Sequence, residues 1–425
     1  MALNANDRSI ANFTMAGHAL VHWFETSIPI FLVVWLDEFS VGVALFGIVV
    51  ALGYAPFGLG ALPGGILADR YGARPLVLVC LGGMSLAFLV LAIATSIYAI
   101  AVGLVLWGVA ASVYHPAGLS LISTGVEDRG TVFAWHGIAG NAGIALGPFV
   151  TATLLIFLEW SVVAAILAVP GVIAVLYGLG AEFDPTAAVA DDADAGPDEA
   201  LSPADLLGNS RTLFASAFAV VFVLVAFEGL YYRGTLTYLP EILHGLPAIE
   251  ALALPAGLEG IQPADYVYVG LLVVGMAGQY AGGKLTNRVS PARGLAAIFA
   301  VLVVLALAFV PVTTAEAGLG TIVALCGLLG FFLFAIQPFY QNAVAIYTPP
   351  DARGLSYGYT YLAEFGFGSA SIAVGGFVLG ELSQTVFFAV IAGFAVGGGL
   401  LAGALLVGDG RFATADGTLE ANADD

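Results

Sequence analysis

Three ionisable side chains near the amino terminus, His18, His22 and Glu25, stand at i, i+4 and i+7 within a long apolar run. At 3.6 residues per helical turn they share one helix face. An imidazole titrates near neutral pH. Such a face, lining a cavity that opens to either side in turn, can take up a proton on one side and release it on the other. Two bland alternatives stand beside this. The histidines could simply brace neighbouring helices by hydrogen bonds. Two imidazoles and a carboxylate could also hold a divalent cation, but no Cys or Asp lies nearby to complete a cluster, so no metal and no cofactor are expected.

Other polar groups lie deep in apolar segments. Insertion into hydrocarbon costs a charged side chain about 2.5–3.5 kcal/mol, so each one needs a reason. His115 sits in Tyr114-His115-Pro116, where proline bends a helix and frees a backbone carbonyl. It is read as a contact for a polar or anionic substrate, with Tyr114 beside it. Glu228 and Tyr232 are expected to face an outer cavity, whereas Arg233 is expected near the outer surface, snorkelling to water. Gln337, Tyr340, Gln341 and Asn141 offer neutral hydrogen bonding. Glu364 is a second proton candidate. His136 is expected near the membrane surface, as a gate or surface residue. No nucleophile–base set and no phosphate-binding loop is present, so an enzyme is not expected.

Composition says what must position these groups. The chain of 425 residues is 60% hydrophobic and 10% charged, where a soluble domain carries about 25% charged residues. A transmembrane helix needs about 20 apolar residues. Twelve runs qualify: 12–36, 41–68, 75–94, 97–123, 132–157, 162–181, 211–239, 266–285, 294–313, 320–346, 357–379 and 385–407. Spans 3, 6, 9 and 12 carry no ionisable group, which suits a lipid-facing position. The expected fold is an all-α membrane protein of two six-helix bundles, residues 1–181 and 211–407. An acidic cytoplasmic linker, 182–210, joins them, and a disordered acidic tail, 408–425, follows. Ten of the eleven Lys and Arg residues fall on one side of this topology, Arg233 being the exception. That asymmetry places both termini in the cytoplasm of a multi-pass cell-membrane protein.

The formal net charge is −19, with a single lysine. An acidic, lysine-poor exposed surface suits high salt, where repulsion is screened, and points to a halophilic archaeon. The same charge disfavours nucleic acid as a partner. Cys80 and Cys326 fall inside apolar runs and read as packing residues.

Residues 65–74 spell Gly-Ile-Leu-Ala-Asp-Arg-Tyr-Gly-Ala-Arg between two apolar runs, and Gly283-Lys284-Leu285-Thr286-Asn287-Arg288 echoes them half a chain later. The first copy resembles the loop 2–3 motif of the major facilitator superfamily of secondary transporters. The echo suggests a duplicated six-helix unit. Gly143-x3-Gly147-Pro148 resembles the tail of the span-5 motif of drug–proton exchangers. Tyr114-His115-Pro116, Ala134 to Asn141 and Tyr238-Leu239-Pro240 resemble the fosmidomycin-resistance-like branch. One departure is that Leu104 stands where many drug exporters carry a span-4 arginine.

The resemblance implies a cavity between two pseudo-symmetric bundles and alternating access, with a lipid bilayer around a chain expected to work as a monomer. It implies proton-coupled efflux of a small organic compound or drug. Uptake of an organic anion or other nutrient, coupled to H+ or Na+, is the alternative. It also implies gating roles for Gly65, Asp69, Arg70, Gly72, Arg74, Asp128, Arg129 and Arg288, and for the Gly147-Pro148 bend where the halves seal. Asp69 would sit at the amino end of span 11, and Arg70 or Arg74 would pair with Glu127 or Asp128, locking the cytoplasmic side shut.

Overall fold

The structure is a computed structural model that describes residues 3–188, 203–252, 261–314, 317–349 and 353–408, without the side chains of residues 69, 203–205 and 353–354. Residues 189–202 of the expected acidic linker and the whole tail beyond residue 408 lie outside the described residues.

The described chain is helical throughout and crosses the bundle twelve times. The first half comprises span 1 (Ala5–Glu38), span 2 (Val43–Leu59 and Ala61–Tyr71), span 3 (Ala73–Ala92), span 4 (Ile97–Ala111 and Tyr114–Gly125), span 5 (Arg129–Leu155) and span 6 (Trp160–Gly180). The second half comprises span 7 (Phe218–His244), span 8 (Pro263–Leu285), span 9 (Pro291–Thr314), span 10 (Leu319–Tyr347), span 11 and span 12 (Gln384–Gly408). Span 11 consists of Arg353–Tyr361, a π-helical turn Leu362–Phe367, and Ala370–Glu381. Eleven of the spans are long and apolar enough to cross a bilayer. Span 8 falls short because Asp265, Tyr266, Tyr268 and Gln279 interrupt its apolar run.

Local chemistry sets several of these boundaries. Asn4 caps span 1, its side chain accepting from the Asp7 N–H at 2.7 Å, and Asp128 caps span 5 by accepting from the Thr131 N–H. Pro116 has no N–H to donate, and span 4 breaks just before it, at Ser112 and Val113. Gly72 ends span 2 with φ +83°, a conformation only glycine adopts without strain. A helix, Pro203–Phe214, starts in the stretch read as linker, takes in the first residues read as span 7, and leads into the observed span 7. The loop after span 7 holds one turn of helix, Pro247–Glu250, before residues outside those described.

The two halves pack alike. Spans 1 and 5, 2 and 4, and 3 and 6 are neighbours in the first; spans 7 and 11, 8 and 10, and 9 and 12 repeat the pattern in the second. The halves meet mainly along spans 2 and 11, with lesser contacts of span 5 on span 8 and span 1 on span 7. Glycines allow the spans 2 and 11 seam to close. A Cβ on Gly47 would lie 3.0 Å from the Gly376 Cα, and one on Gly58 would lie 2.6 Å from the Phe365 carbonyl carbon. Small residues of this kind are what membrane helices use for close approach.

Candidate functional site

Between the halves lies a cavity of about 910 Å³. Spans 1, 2, 4, 5, 7, 8, 10 and 11 line it; spans 3, 6, 9 and 12 contribute nothing, as expected from their lack of ionisable groups. The lining is drawn from the middle of span 1 (His18 to Glu25), the carboxyl part of span 4 (His115 to Ser123), the amino half of span 5 and the carboxyl part of span 10. The span-4, span-5 and span-10 segments lie toward the end of the bundle where the chain enters span 1 and leaves span 12, and the span-1 residues stand at mid-depth. At the opposite end the halves are shut. The Thr153 and Tyr266 hydroxyls are 3.2 Å apart, and residues 235–240 of span 7 are buried without a break.

The span-1 face sits at the head of this cavity. Glu25 is 2% exposed and uses both carboxylate oxygens. Its Oε2 lies 2.6 Å from His22 Nδ1. Its Oε1 accepts from Arg233 Nη1 of span 7, across the interface between the bundles. Tyr54 of span 2 donates to the Glu25 backbone carbonyl at 2.7 Å. The Arg233 guanidinium is 5% exposed and stacked among aromatic rings, 4.5 Å from the Phe365 centroid and 5.1 Å from that of Tyr54. Its Nε and Nη2 have no hydrogen-bond partner among the described residues.

Arg233 therefore does not snorkel to the outer surface. Span 7 continues through Tyr238-Leu239-Pro240 to His244, five residues past its expected end, which sets Arg233 deeper in the membrane. His136 is corrected in the same way. It is 4% exposed and stacks on His18, ring centroids 3.9 Å apart. Gly140 of span 5 allows the approach, since a Cβ there would lie 2.6 Å from His18 Nδ1.

A histidine cluster fills the space beside Glu25. His18 Nδ1 is 2.7 Å from the His136 carbonyl oxygen, and His18 Nε2 is 3.2 Å from His22 Nε2. His115 of span 4 meets both rings, 5.4 Å from the His18 centroid and 5.6 Å from that of His22. Asn141, Tyr232, Gln337, Tyr340 and Gln341 also line the cavity, Tyr232 on this side rather than in an outer cavity. Gln279, which the sequence did not single out, donates to Gln337 at 3.1 Å. Glu364 lies on the π-helical turn and accepts from the Tyr340 hydroxyl at 2.8 Å. Such turns are frequent at functional sites.

Two residues expected in the cavity are absent from its lining. Tyr114 is fully buried, donating to the Thr14 carbonyl and lying 3.1 Å from His136 Nε2. Bonded to both, it braces the histidine cluster from behind. Glu228 is 1% exposed, with neither carboxylate oxygen partnered among the described residues. It falls behind the lining because Gly229, next to it, packs directly on Glu364: a Cβ there would lie 2.8 Å from the Glu364 Cα.

In this open arrangement the arginines of the loop after span 2 bond elsewhere than in the expected lock. Arg74 donates to the carbonyls of Gly178 and Leu179, at 2.9 and 3.2 Å. Arg70 is exposed, over the Tyr71 ring. The Glu127 and Asp128 N–H groups instead donate to the Asp7 carboxylate, each at 3.1 Å. Neither arginine pairs with Glu127 or Asp128 because the cavity is open at this end. Arg129 donates to the Ala188 carbonyl at 3.2 Å, and Arg288 is exposed. The side chain of Asp69 lies outside the described residues. Gly65 lines the cavity. Gly147 packs on Trp23 of span 1, where a Cβ would lie 2.9 Å from its Cα, and Pro148 is buried within span 5. That glycine seam thus lies inside the first bundle; spans 2 and 11 make the closest seam between the halves.

Solved transporters share this fold. A bacterial homologue of the human lysosomal transporter Spinster, in an inward-facing and occupied conformation, superposes with a TM-score of 0.67 at 14% identity, covering 97% of each chain. The nucleoside transporter NupG gives 0.70 at 16% identity, covering 94% of this chain and 99% of its own. A peptide transporter, POT, in complex with sulfate, gives 0.71 at 16% identity, covering 95% of each. No curated protein matches the chain in sequence. The family model of the Major Facilitator Superfamily matches residues 14–372, and the chain belongs to that superfamily.

Proposed function

We propose that this secondary transporter works by alternating access and exports a small organic compound in exchange for protons. The observation that carries the reading is the Glu25–Arg233 ion pair at the head of the cavity. It ties span 1 to span 7, so one proton on Glu25 weakens a tie between the two bundles. His22, on the other carboxylate oxygen and facing the cavity, gives that proton a route to water. Glu364 offers a second carboxylate in the opposite wall. The arginine asymmetry assigns the open end to the cytoplasm, which makes this an inward-open state. The segments that resemble the fosmidomycin-resistance-like branch supply His115 and His136 of the cavity, which favours export.

A specific feature favours the second reading, uptake of an organic anion. Arg233 lines the cavity, and its buried Nε and Nη2, unpartnered among the described residues, would gain partners from a carboxylate or phosphonate that enters between the surrounding rings. In the high-salt setting suggested by the acidic surface, Na+ is the alternative coupling ion.

Energised inside-out vesicles containing a pH dye, challenged with a panel of compounds in high salt, test the proposal. A compound that dissipates the gradient, with no effect in Glu25→Gln vesicles, supports proton-driven export. Normal coupling in Glu25→Gln removes Glu25 from the mechanism. No response to any compound favours uptake or sodium coupling.

A further inference from the structure

We infer that His18, His22 and His115 form a binding site for a borderline divalent transition-metal cation such as Zn²⁺. The inference rests on the arrangement of the imidazoles and stands whichever ion drives transport. One ring nitrogen of each of the three lies within 4.8 Å of the others, and all three side chains line the cavity.

The hydrogen bonds on the far sides of two rings determine what the near sides can do. His18 Nδ1 is 2.7 Å from the His136 carbonyl oxygen, which can only accept, so Nδ1 carries the proton. His22 Nδ1 is 2.6 Å from the Glu25 carboxylate, so its Nδ1 also carries a proton. In the neutral rings both Nε2 atoms are then bare lone pairs. They point at each other across 3.2 Å. Two lone pairs facing at that distance repel unless a cation lies between or beside them.

The spacing suits a metal. Zinc–imidazole bonds of 2.0–2.1 Å set two tetrahedral ligands about 3.3 Å apart. The outer contacts suit one too. Metal-ligating histidines almost always donate their second N–H to a carboxylate or backbone carbonyl, and Glu25 and the His136 carbonyl are one of each. His115 reaches the ion by turning its ring into the cavity. Three imidazoles and one vacant position, facing the cavity, make an open site rather than a closed structural one. Water or a donor atom of a transported compound fills the fourth position.

The test uses the full chain, tag-free, purified in detergent in high salt. Zn²⁺ titrated calorimetrically should bind one ion per chain. His22→Ala and His115→Ala should weaken it by at least about 100-fold, and Glu25→Gln, an outer contact, by roughly 10–100-fold. Co²⁺ added to the wild-type protein should give the intense visible absorption of a four-coordinate site. This readout holds even if a histidine variant does not fold. Absence of binding, a weak six-coordinate cobalt spectrum, or unchanged affinity in a folded His22→Ala or His115→Ala protein overturns the site.

Discussion

Arg233 and Glu25, 208 residues apart in sequence, form an ion pair that joins the second bundle to the first at the closed head of the cavity. Both side chains are almost fully buried. Removing one partner of a buried pair leaves the other as an uncompensated charge, which costs about 3–5 kcal/mol. Glu25→Gln and Arg233→Gln should each lower stability by about that amount. The double variant should lose less than the sum, with a coupling of ~1–3 kcal/mol. Denaturant unfolding of the purified proteins measures all three. Additive losses would show that the pair contributes nothing as a pair. All three variants are expected to lose transport.

How far this site was legible in the sequence depends on the residue. His18, His22 and Glu25 announced themselves, because three ionisable groups at helical spacing in an apolar run admit few explanations. The lipid-facing spans were equally plain from what they lack. Arg233 stands out in the sequence as the one cation on the wrong side of the topology, but the sequence alone puts it at the surface. Only the tertiary partner, 208 residues away, explains why a guanidinium sits in the membrane. His136 was misplaced for a related reason: its depth depends on Gly140 letting the His18 ring come close, and no periodicity reports that. Glu228 and Tyr114 lie on helices that do line the cavity, and helix rotation decides which face they take. The pairs read for Arg70 and Arg74 belong to a shut cytoplasmic side, and this open arrangement does not contain them.

The seam of spans 2 and 11 tolerates no side chain at Gly58, where an added Cβ would lie 2.6 Å from the Phe365 carbonyl carbon. Gly58→Val should push the two spans apart. Transport is expected to fall at least tenfold while the protein still reaches the membrane, because each bundle keeps its own packing. Vesicle transport normalised to protein content checks this. Wild-type rates would mean that the close approach is not needed during the cycle.

Gly72 turns the chain after span 2 with φ +83° and ψ 152°. An L-residue held in such a region costs about 1–3 kcal/mol. Gly72→Ala should lower stability by that amount. Gly130→Ala, at a position with open space around it, serves as the control and should be nearly neutral. Thermal unfolding of both in the same detergent makes the comparison. Equal shifts would show that the turn relaxes at no cost.

Among the described residues the cavity opens at one end of the bundle, and thiol labelling reads this directly. Ser120 and Asn141 line the cavity, whereas Thr237 is 3% exposed in the shut half of span 7. The native Cys80 and Cys326 are buried, so the background should be low. In inside-out vesicles without substrate, Ser120→Cys and Asn141→Cys should react with a membrane-impermeant maleimide, and Thr237→Cys should not. Right-side-out vesicles should reverse the order only if the protein visits its other state. Labelling of Ser120→Cys from the outside alone would invert the orientation assigned from the arginines, and would place the open cavity of this structure on the external face.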